Sequence, residues 1–436
     1  MRHPTMISPL ALTLSTLVWA ACAAMPALAA QAAHSVPQEL PPQDLVRQHI
    51  LARPEVRAAA SAMQADQADA ERLKAGPHEF TLRLAAQQRR SSDTMSDGLI
   101  DRRRYAETQL ALERTLRTGR KARQDDVIGD AAVKLALVRR ADAIHEASRG
   151  LLRAWIDWLR ERATVSMWQE QESAQDELTR HAERRVKAGD AARTQWRLQE
   201  ASAAQTHANL VSAQARELAA RAVLDTQYPG LTSSGEAALA SPQLLDYQAD
   251  QQAVVTQDLA ERSHEWRVAR LHADLVSARA TRTSLDRSTD PTIGIYAASE
   301  RGGAERVLGL SLSVPLAGAA RSASERQAQA LRVEAEQQAE AIHQKVRTEA
   351  VTAWQAMQSA QLAWQSQDLA RQRHEQVLKT VVRGWELGEY SQSDVLLARR
   401  QFTEAALAEI NARAEARHAA LRLKLDLHET WEFDDE

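Results

Sequence analysis

Two stretches of this chain are too long to be helices of an ordinary globular core. From Arg120 to Lys187 the sequence is helical in type, with no proline and only Gly129 and Gly150 as glycines. A second such run follows Gly318 and reaches Leu387, with Gly384 its only glycine. Each is close to 70 residues, which at 1.5 Å per residue is a rod of roughly 100 Å. A helix of that length is marginal alone in water and requires packing along its side. Leu151, Leu152, Trp155, Ile156 and Leu159 supply the apolar stripe at 3–4 spacing that such packing uses. The composition agrees: aromatics make up 4% of 436 residues, with only 15 glycines and 12 prolines, a bias of long helices and coiled coils. Acidic and basic residues, 58 against 55, nearly cancel, so no global field favours nucleic acid.

The two rods belong to a tandem repeat. Gly189-Asp190 interrupts the first and Gly388-Glu389 the second, and a shorter helical run follows each, from Ala191 to about Thr226 and from Ser391 to His428. Gly119 and Gly318 stand 199 residues apart, as do Gly189 and Gly388. The same offset pairs Asp190 with Glu389, Thr194 with Ser393 and Leu198 with Leu397, so order and register are both duplicated.

Ahead of each rod the period changes from helical to alternating. Phe80, Leu82 and Leu84 alternate with Thr81, Arg83 and Ala85, predicting a strand over His78–Arg90. A polar turn is expected over Ser91–Asp101 and a second strand over Tyr105–Leu116. In the second copy Ile293 and Ile295 alternate with Gly294 and Tyr296, Glu300–Gly303 makes the turn, and Arg306–Val314 forms a strand stopped by Pro315. Each copy thus supplies a two-stranded hairpin. Arg83, Arg89, Arg90, Arg102, Arg103 and Arg104 crowd the first. A charge facing lipid costs a few kcal/mol near the midplane, so these are expected to face a lumen or an outer rim. Helical sequence is also read from Asp44 to Ala75, past Pro54 and up to Gly76-Pro77, and again from Leu244 to Leu285 after a break between Tyr228 and Pro242.

Arg2 precedes an apolar run from Met6 to Ala24, and Ala27-Leu28-Ala29 follows Pro26. This predicts a secretory signal cleaved near Ala29 or Ala30. The single cysteine, Cys22, lies inside it behind Trp19-Ala20-Ala21, which is a poor match to a lipidation signal, so the mature chain is expected to lack thiol chemistry. Beyond the signal no apolar run approaches the length of a spanning helix. Secretion without such a helix leaves the periplasm, the exterior or an outer-membrane β-barrel. Four strands cannot close a barrel alone, since the smallest have eight, and open edges cannot lie in lipid. Several chains sharing one sheet would satisfy both constraints.

Arg383-Gly384-Trp385-Glu386-Leu387-Gly388-Glu389-Tyr390-Ser391, continuing through Asp394-Val395-Leu396-Leu397-Ala398-Arg399, resembles the second repeat of TolC-like outer membrane efflux proteins. Leu308-Gly309-Leu310-Ser311-Leu312-Ser313-Val314-Pro315-Leu316 is similar to that family's strand leading into its long helix, and Arg53-Pro54-Glu55-Val56 to its N-terminal helical motif. The resemblance implies a mainly α fold with a β-barrel part. The implied assembly is a homotrimeric duct, with four strands per protomer in a shared 12-stranded barrel and long antiparallel helices forming a periplasmic tunnel. On that plan residues 1–29 are the signal peptide and 30–77 the N-terminal helices. The first barrel hairpin is 78–117 and the first long-helix pair 118–226, with its tip near 189. An equatorial connection, 227–242, leads to a helix returning to the barrel, 243–289. The second hairpin is 290–316, the second long-helix pair 317–428 with its tip near 388, and the tail 429–436. The N-terminal helix and the C-terminal end join the connection in an equatorial belt. The size of the chain and its Tyr228-Pro229-Gly230 region resemble the heavy-metal, CzcC-like branch.

By the same resemblance the chain sits in the outer membrane, in contact with its lipid and with most of its mass in the periplasm. It would couple to a periplasmic adaptor (membrane fusion) protein and an inner-membrane pump of the RND type. The adaptor-docking tips would be Gly189, Asp190, Thr194, Gly388, Glu389, Ser391 and Ser393. In relatives, acidic side chains near Asp394 face the tunnel as a ring. Three carboxylates in one narrow lumen would favour cations and raise one another's pKa, making Asp394 a candidate gate. A solvated Asp on a helix face is the plainer reading, and both stay open. The first repeat carries Gln195 at the equivalent position, and Leu397 stands where some relatives have a second acid.

No catalytic constellation is read. His264-Glu265 lacks the second histidine of a zinc-protease helix, Gly302-Gly303 suits a hairpin turn better than a phosphate loop, and no Met-rich or His-rich tract is present. The histidines read as surface or packing residues. The expectation is a passive conduit, not an enzyme, with no cofactor, no metal site and no nucleic-acid partner. The competing expectation is a soluble periplasmic coiled-coil or adaptor protein without a membrane barrel.

Overall fold

A computed structural model describes residues 40–233, 237–242, 251–431 and 433. The expected signal peptide with Cys22 lies outside the described residues, as do 243–250 of the returning helix and parts of the equatorial connection and tail. The two rods are single helices, α3 (Gly119–Ala188) and α7 (Ala319–Glu386), of 70 and 68 residues. Each turns back through a shorter partner, α4 (Arg193–Gln227) and α8 (Gln392–Asp426), both 35 residues long. Both ends of α4 and α8 are displaced by the 199 residues read from the glycines, so the duplication is structural.

Two stretches that the sequence presents as continuous helix are broken. The N-terminal one divides into α1 (Gln43–Ala52) and α2 (Pro54–Ala75). Arg53 has φ −61° and ψ 137°, because the ring of a following proline disfavours helical ψ. The returning helix divides into α5 (Gln251–Arg262) and α6 (His264–Leu285), where the Ser263 hydroxyl accepts the Trp266 N–H at 3.4 Å and caps the second piece.

The strands are β1 (Thr81–Thr94), β2 (Ile100–Thr115), β3 (Thr292–Glu300) and β4 (Glu305–Ser313), hydrogen-bonded in that order and all antiparallel. The expected polar turn over Ser91–Asp101 is mostly ladder. Arg90 pairs with Arg104 and Ser92 with Arg102, leaving only residues 95–99 as the turn. Backbone pairing satisfies the ladder without apolar side chains, so a polar stretch can remain strand. The first hairpin therefore rises well beyond the second. Pairing of β2 with β3, from Thr108↔Ser299 to Thr115↔Thr292, joins the two repeats into one sheet.

The largest core lies midway along α3, where Leu151, Leu152, Trp155, Ile156 and Leu159 are buried against Val46 and Ile50 of α1, Tyr228 and Leu231, and Leu421 and Leu425 of α8. The N-terminal helix, the connection after α4 and the C-terminal end thus share one apolar cluster. A second cluster surrounds Trp354 of α7, fully buried with Leu259 and Leu423.

Candidate functional site

Register sorts the strand residues into two chemically different faces. Leu82, Leu112, Ile295 and Leu310 form one cross-strand row; Leu84, Leu110, Ala297 and Leu308 form the next. Ile293 and Leu312 extend this face toward the helices. Its leucines are bare in the single chain, Leu308 and Leu310 being 84% and 85% exposed. On the opposite face Glu107 and Ala111 are buried, so the sheet is concave toward its polar side. An apolar convex belt and a polar concave lining are the two surfaces that a barrel wall presents to lipid and to a lumen. β1 and β4 are the free edges, and a β4 followed by another copy's β1 would continue the antiparallel order.

The six arginines divide between these faces. Arg83, Arg89 and Arg103 are on the concave side, and each has a carboxylate: Glu113 at 3.3 Å, Glu107 at 3.0 Å and Asp101 at 2.5 Å. Arg90, Arg102 and Arg104 are on the convex side, beyond the leucine rows and toward the hairpin tip. The expectation that the arginines avoid the belt thus meets two distinct placements.

Where strands hand over to helices, a charged collar ties five elements together. Arg117 donates to the Leu73 and Lys74 carbonyls at the end of α2 and to Asp125 at 2.8 Å. Asp125 also accepts from Arg282 at 2.6 Å, and Arg282 reaches Asp286 at 2.6 Å. Lys121, only 2% exposed, sits 3.0 Å from Asp286 and 2.9 Å from Asp290 at the entry to β3. Arg321 of α7 donates to the Asp286 carbonyl at 2.7 Å. Periodicity carries no trace of this network, because its members are spread from Leu73 to Arg321.

At the other end the tips are built alike. Gly189 and Gly388 have φ of 83° and 84°, a left-handed conformation that glycine adopts freely. Asp190 N–H donates to the Arg185 carbonyl and Glu389 N–H to the Gly384 carbonyl, at 2.9 and 2.8 Å, closing a Schellman motif in each repeat. No atom lies within 4 Å of a Cβ built at either glycine, so only backbone strain opposes substitution. Gly189→Ala and Gly388→Ala are each expected to destabilise by about 1–2 kcal/mol, and by similar amounts, which denaturant titration of the two variants will check.

The tips differ beyond the glycines. Gly384 seats the Tyr390 ring, which a Cβ there would approach to 2.4 Å. At the equivalent positions the first repeat has Arg185 and Ala191. Trp385 is buried with Leu178, Val381 and Val395, and its ring meets His181 edge-on at 4.9 Å. Gln392 donates to the Gln195 carbonyl, linking the two turns. Thr194 and Ser393 occupy equivalent places in the first turns of α4 and α8. Asp394 is exposed and forms a capping box. Its carboxylate accepts the Ser391 N–H at 2.9 Å and the hydroxyl at 2.6 Å, while Ser391 Oγ accepts the Asp394 N–H at 3.2 Å. Those side-chain and backbone hydrogen bonds hold its pKa below the usual carboxylate value. Ser391-x-x-Asp394 is the sequence signature of this cap; α4 has Ala192 at its N-cap and no side-chain cap.

Three histidines distant in sequence come together where α3, the start of α6 and the end of α8 meet. The rings of His145, His264 and His428 lie 5.3, 5.5 and 5.0 Å apart, with Asp426 3.3 Å from His145 and 2.8 Å from Arg149. Their separation along the chain hides them from any local motif. Burial, reinforced by His145, His428, Arg267 and Arg149, lowers the His264 pKa to about 3. Hydrogen bonds from His145 and Arg149 outweigh burial and keep Asp426 below its ordinary value. Because the unfolded chain takes up the His264 proton near pH 6.5 and the folded chain only near 3, stability is lost as pH falls through that window. At about pH 5 the expected loss is roughly 2 kcal/mol. Thermal unfolding at neutral and mildly acidic pH should show this slope, and His264→Gln should flatten it.

No family model and no curated protein matches the sequence. Solved structures do. The outer membrane protein VceC of Vibrio cholerae superposes with a TM-score of 0.71 at 17% identity, covering 90% of this chain and 96% of that one. The outer-membrane channel OprN gives 0.72 at 17% identity, with 89% and 90% covered. The fold is that of the TolC-like outer-membrane channels. The MtrE outer membrane channel of Neisseria gonorrhoeae, in its open state, gives 0.69 at 14% identity with 90% of each chain covered. The TolC-like fold thus extends over nearly the whole chain, sheet and rods together.

Proposed function

We propose that this chain is the outer-membrane channel component of a tripartite efflux or secretion system, passively conducting cargo across the periplasm and outer membrane. The observation that carries the reading is the convex belt of bare leucines and isoleucines on a sheet whose two edges are free. Three copies would place twelve strands in one barrel with the belt against lipid and the paired arginines in the lumen. The solved channels that share the fold are described as outer-membrane channels, which supports the same role here. Exposed Leu198 and Leu397, equivalent in the two repeats and close to the tips, offer apolar contacts for an adaptor's helices beside Gly189, Asp190, Thr194, Gly388, Glu389, Ser391 and Ser393. The adaptor would link the duct to an inner-membrane pump of the RND type. Asp394, kept ionised by its cap, would contribute negative charge at the second-repeat tip, where a gate for cations or drugs would lie. Fractionation tests the reading. Recovery as a detergent-extracted outer-membrane trimer that conducts ions in planar bilayers is expected. Release as a soluble monomer by osmotic shock would instead point to a periplasmic coiled-coil protein and sink the proposal.

A further inference from the structure

The convex face of the sheet has an unexplained chemistry beyond its apolar belt. Along it β1 presents Leu82, Leu84, Ala86, Gln88, Arg90, Ser92 and Thr94. The facing positions of β2 run from Leu112 up through Arg104 and Arg102 to Ile100, and β4 adds Arg306 directly above Leu308. No Asp or Glu occupies this face on any of the four strands. The contrast with the concave side is complete. There Arg83, Arg89 and Arg103 have carboxylate partners, whereas Arg90, Arg102, Arg104 and Arg306 are exposed and have none among the described residues. Arg90 and Arg104 are direct cross-strand partners, an arrangement that is repulsive unless an anion lies between them. Arg114, at the helical edge of the belt, is satisfied differently: its guanidinium covers the Phe80 ring at 4.8 Å and donates to the His78 carbonyl.

Height identifies the anion. At about 3.4 Å per residue, Arg306 lies about 7 Å along its strand beyond the last leucine row, Arg104 about 20 Å and Arg102 about 27 Å. A phospholipid headgroup layer is only about 5–8 Å deep. It would meet Arg306 and leave the upper three in water. A ladder of guanidiniums at several depths matches phosphates at several depths, each able to accept two N–H donors from one arginine.

We propose that Arg90, Arg102, Arg104 and Arg306 bind the phosphates of a membrane lipid with a phosphorylated oligosaccharide headgroup, lying against the outside of the first hairpin. This rests on the belt facing lipid, so the test scores membrane insertion and lipid choice in the same samples. Full-length protein is reconstituted into phosphatidylcholine vesicles and floated. It is then titrated in neutral detergent with a phosphorylated glycolipid, with the same lipid after phosphatase treatment, and with phosphatidylglycerol. The wild type is expected to insert and to bind the phosphorylated glycolipid at least about tenfold more tightly than either control. The quadruple Arg→Gln variant should insert equally and lose that preference. Arg83→Gln, on the concave face, should keep it. Because the quadruple change removes the Arg90–Arg104 repulsion, its fold should be at least as stable as the wild type, which thermal unfolding checks. Equal binding of native and dephosphorylated lipid by an inserted protein overturns the ladder while leaving the belt intact. Displacement of the lipid by millimolar inorganic phosphate would reveal a plain anion site and also overturn it. Failure of the wild type to insert removes the belt, and the ladder with it.

Discussion

Arginine in place of Leu310 is expected to cost the membrane-inserted protein about 2–4 kcal/mol per protomer. Leu310 lies in the middle of the convex belt, with rows of apolar residues on either side and 85% of its surface bare in the single chain. A guanidinium there has no carboxylate to pair with, and an apolar row on either side separates it from the interfaces. Gln109→Arg is the matched control. Gln109 pairs with Ala85 and Ala298 on the concave face, where Arg83 and Arg89 already reside. The two variants add the same charge to strands separated only by β3, so the main difference is the face. The folded fraction in vesicles, followed by denaturant titration, should fall for Leu310→Arg and remain near wild type for Gln109→Arg. If both variants fold equally well, the convex face does not meet lipid. Were three copies to share one barrel, the penalty would enter three times, and the folded band should be nearly absent.

The parts of this architecture legible in the sequence were those set by strong local rules. Gly189 and Gly388 announce their turns because a left-handed residue closes a helix at each, and their fixed offset exposes the duplication. Phe80, Leu82 and Leu84 announce a strand because only period two places them on one face. What stayed hidden had weak local rules or none. The upper half of the first hairpin is polar on both faces, so its strand character depends on pairing across the turn. The breaks at Arg53 and Ser263 come from a following proline and a hydroxyl cap, short signals inside long helical patterns. Ser391, three residues before Asp394, carries a cap signal that neither a gate nor a solvated carboxylate at Asp394 requires. The histidine cluster and the collar require distant segments to meet and leave no local mark.

The collar is where the largest single destabilisation outside the apolar belt is expected. Lys121 delivers one ammonium to two carboxylates, at 3.0 Å from Asp286 and 2.9 Å from Asp290, in a site that leaves the lysine side chain 2% exposed. Replacement by methionine preserves the volume and removes the charge. Asp286 is half exposed and can recover water; Asp290 is largely buried and cannot. The two acids, both within reach of one nitrogen, then repel each other as well. Removing one partner of a buried pair in this way costs about 3–5 kcal/mol, far more than an exposed ion pair contributes. Rescue distinguishes charge from packing. Asp290→Asn added to Lys121→Met should restore part of the lost stability at neutral pH, since the buried acid left without its ammonium is then uncharged. A deficit that ignores Asp290→Asn would mean that Lys121 acts through its packing alone. Because the collar joins the end of α2, the start of α3, the end of α6, the entry to β3 and the start of α7, its loss should loosen the sheet from the rods before either unfolds. Hydrogen exchange in Lys121→Met should therefore accelerate first around Thr118–Asp125 and Arg282–Pro291, with the core about Trp155 and the tips about Trp385 still protected.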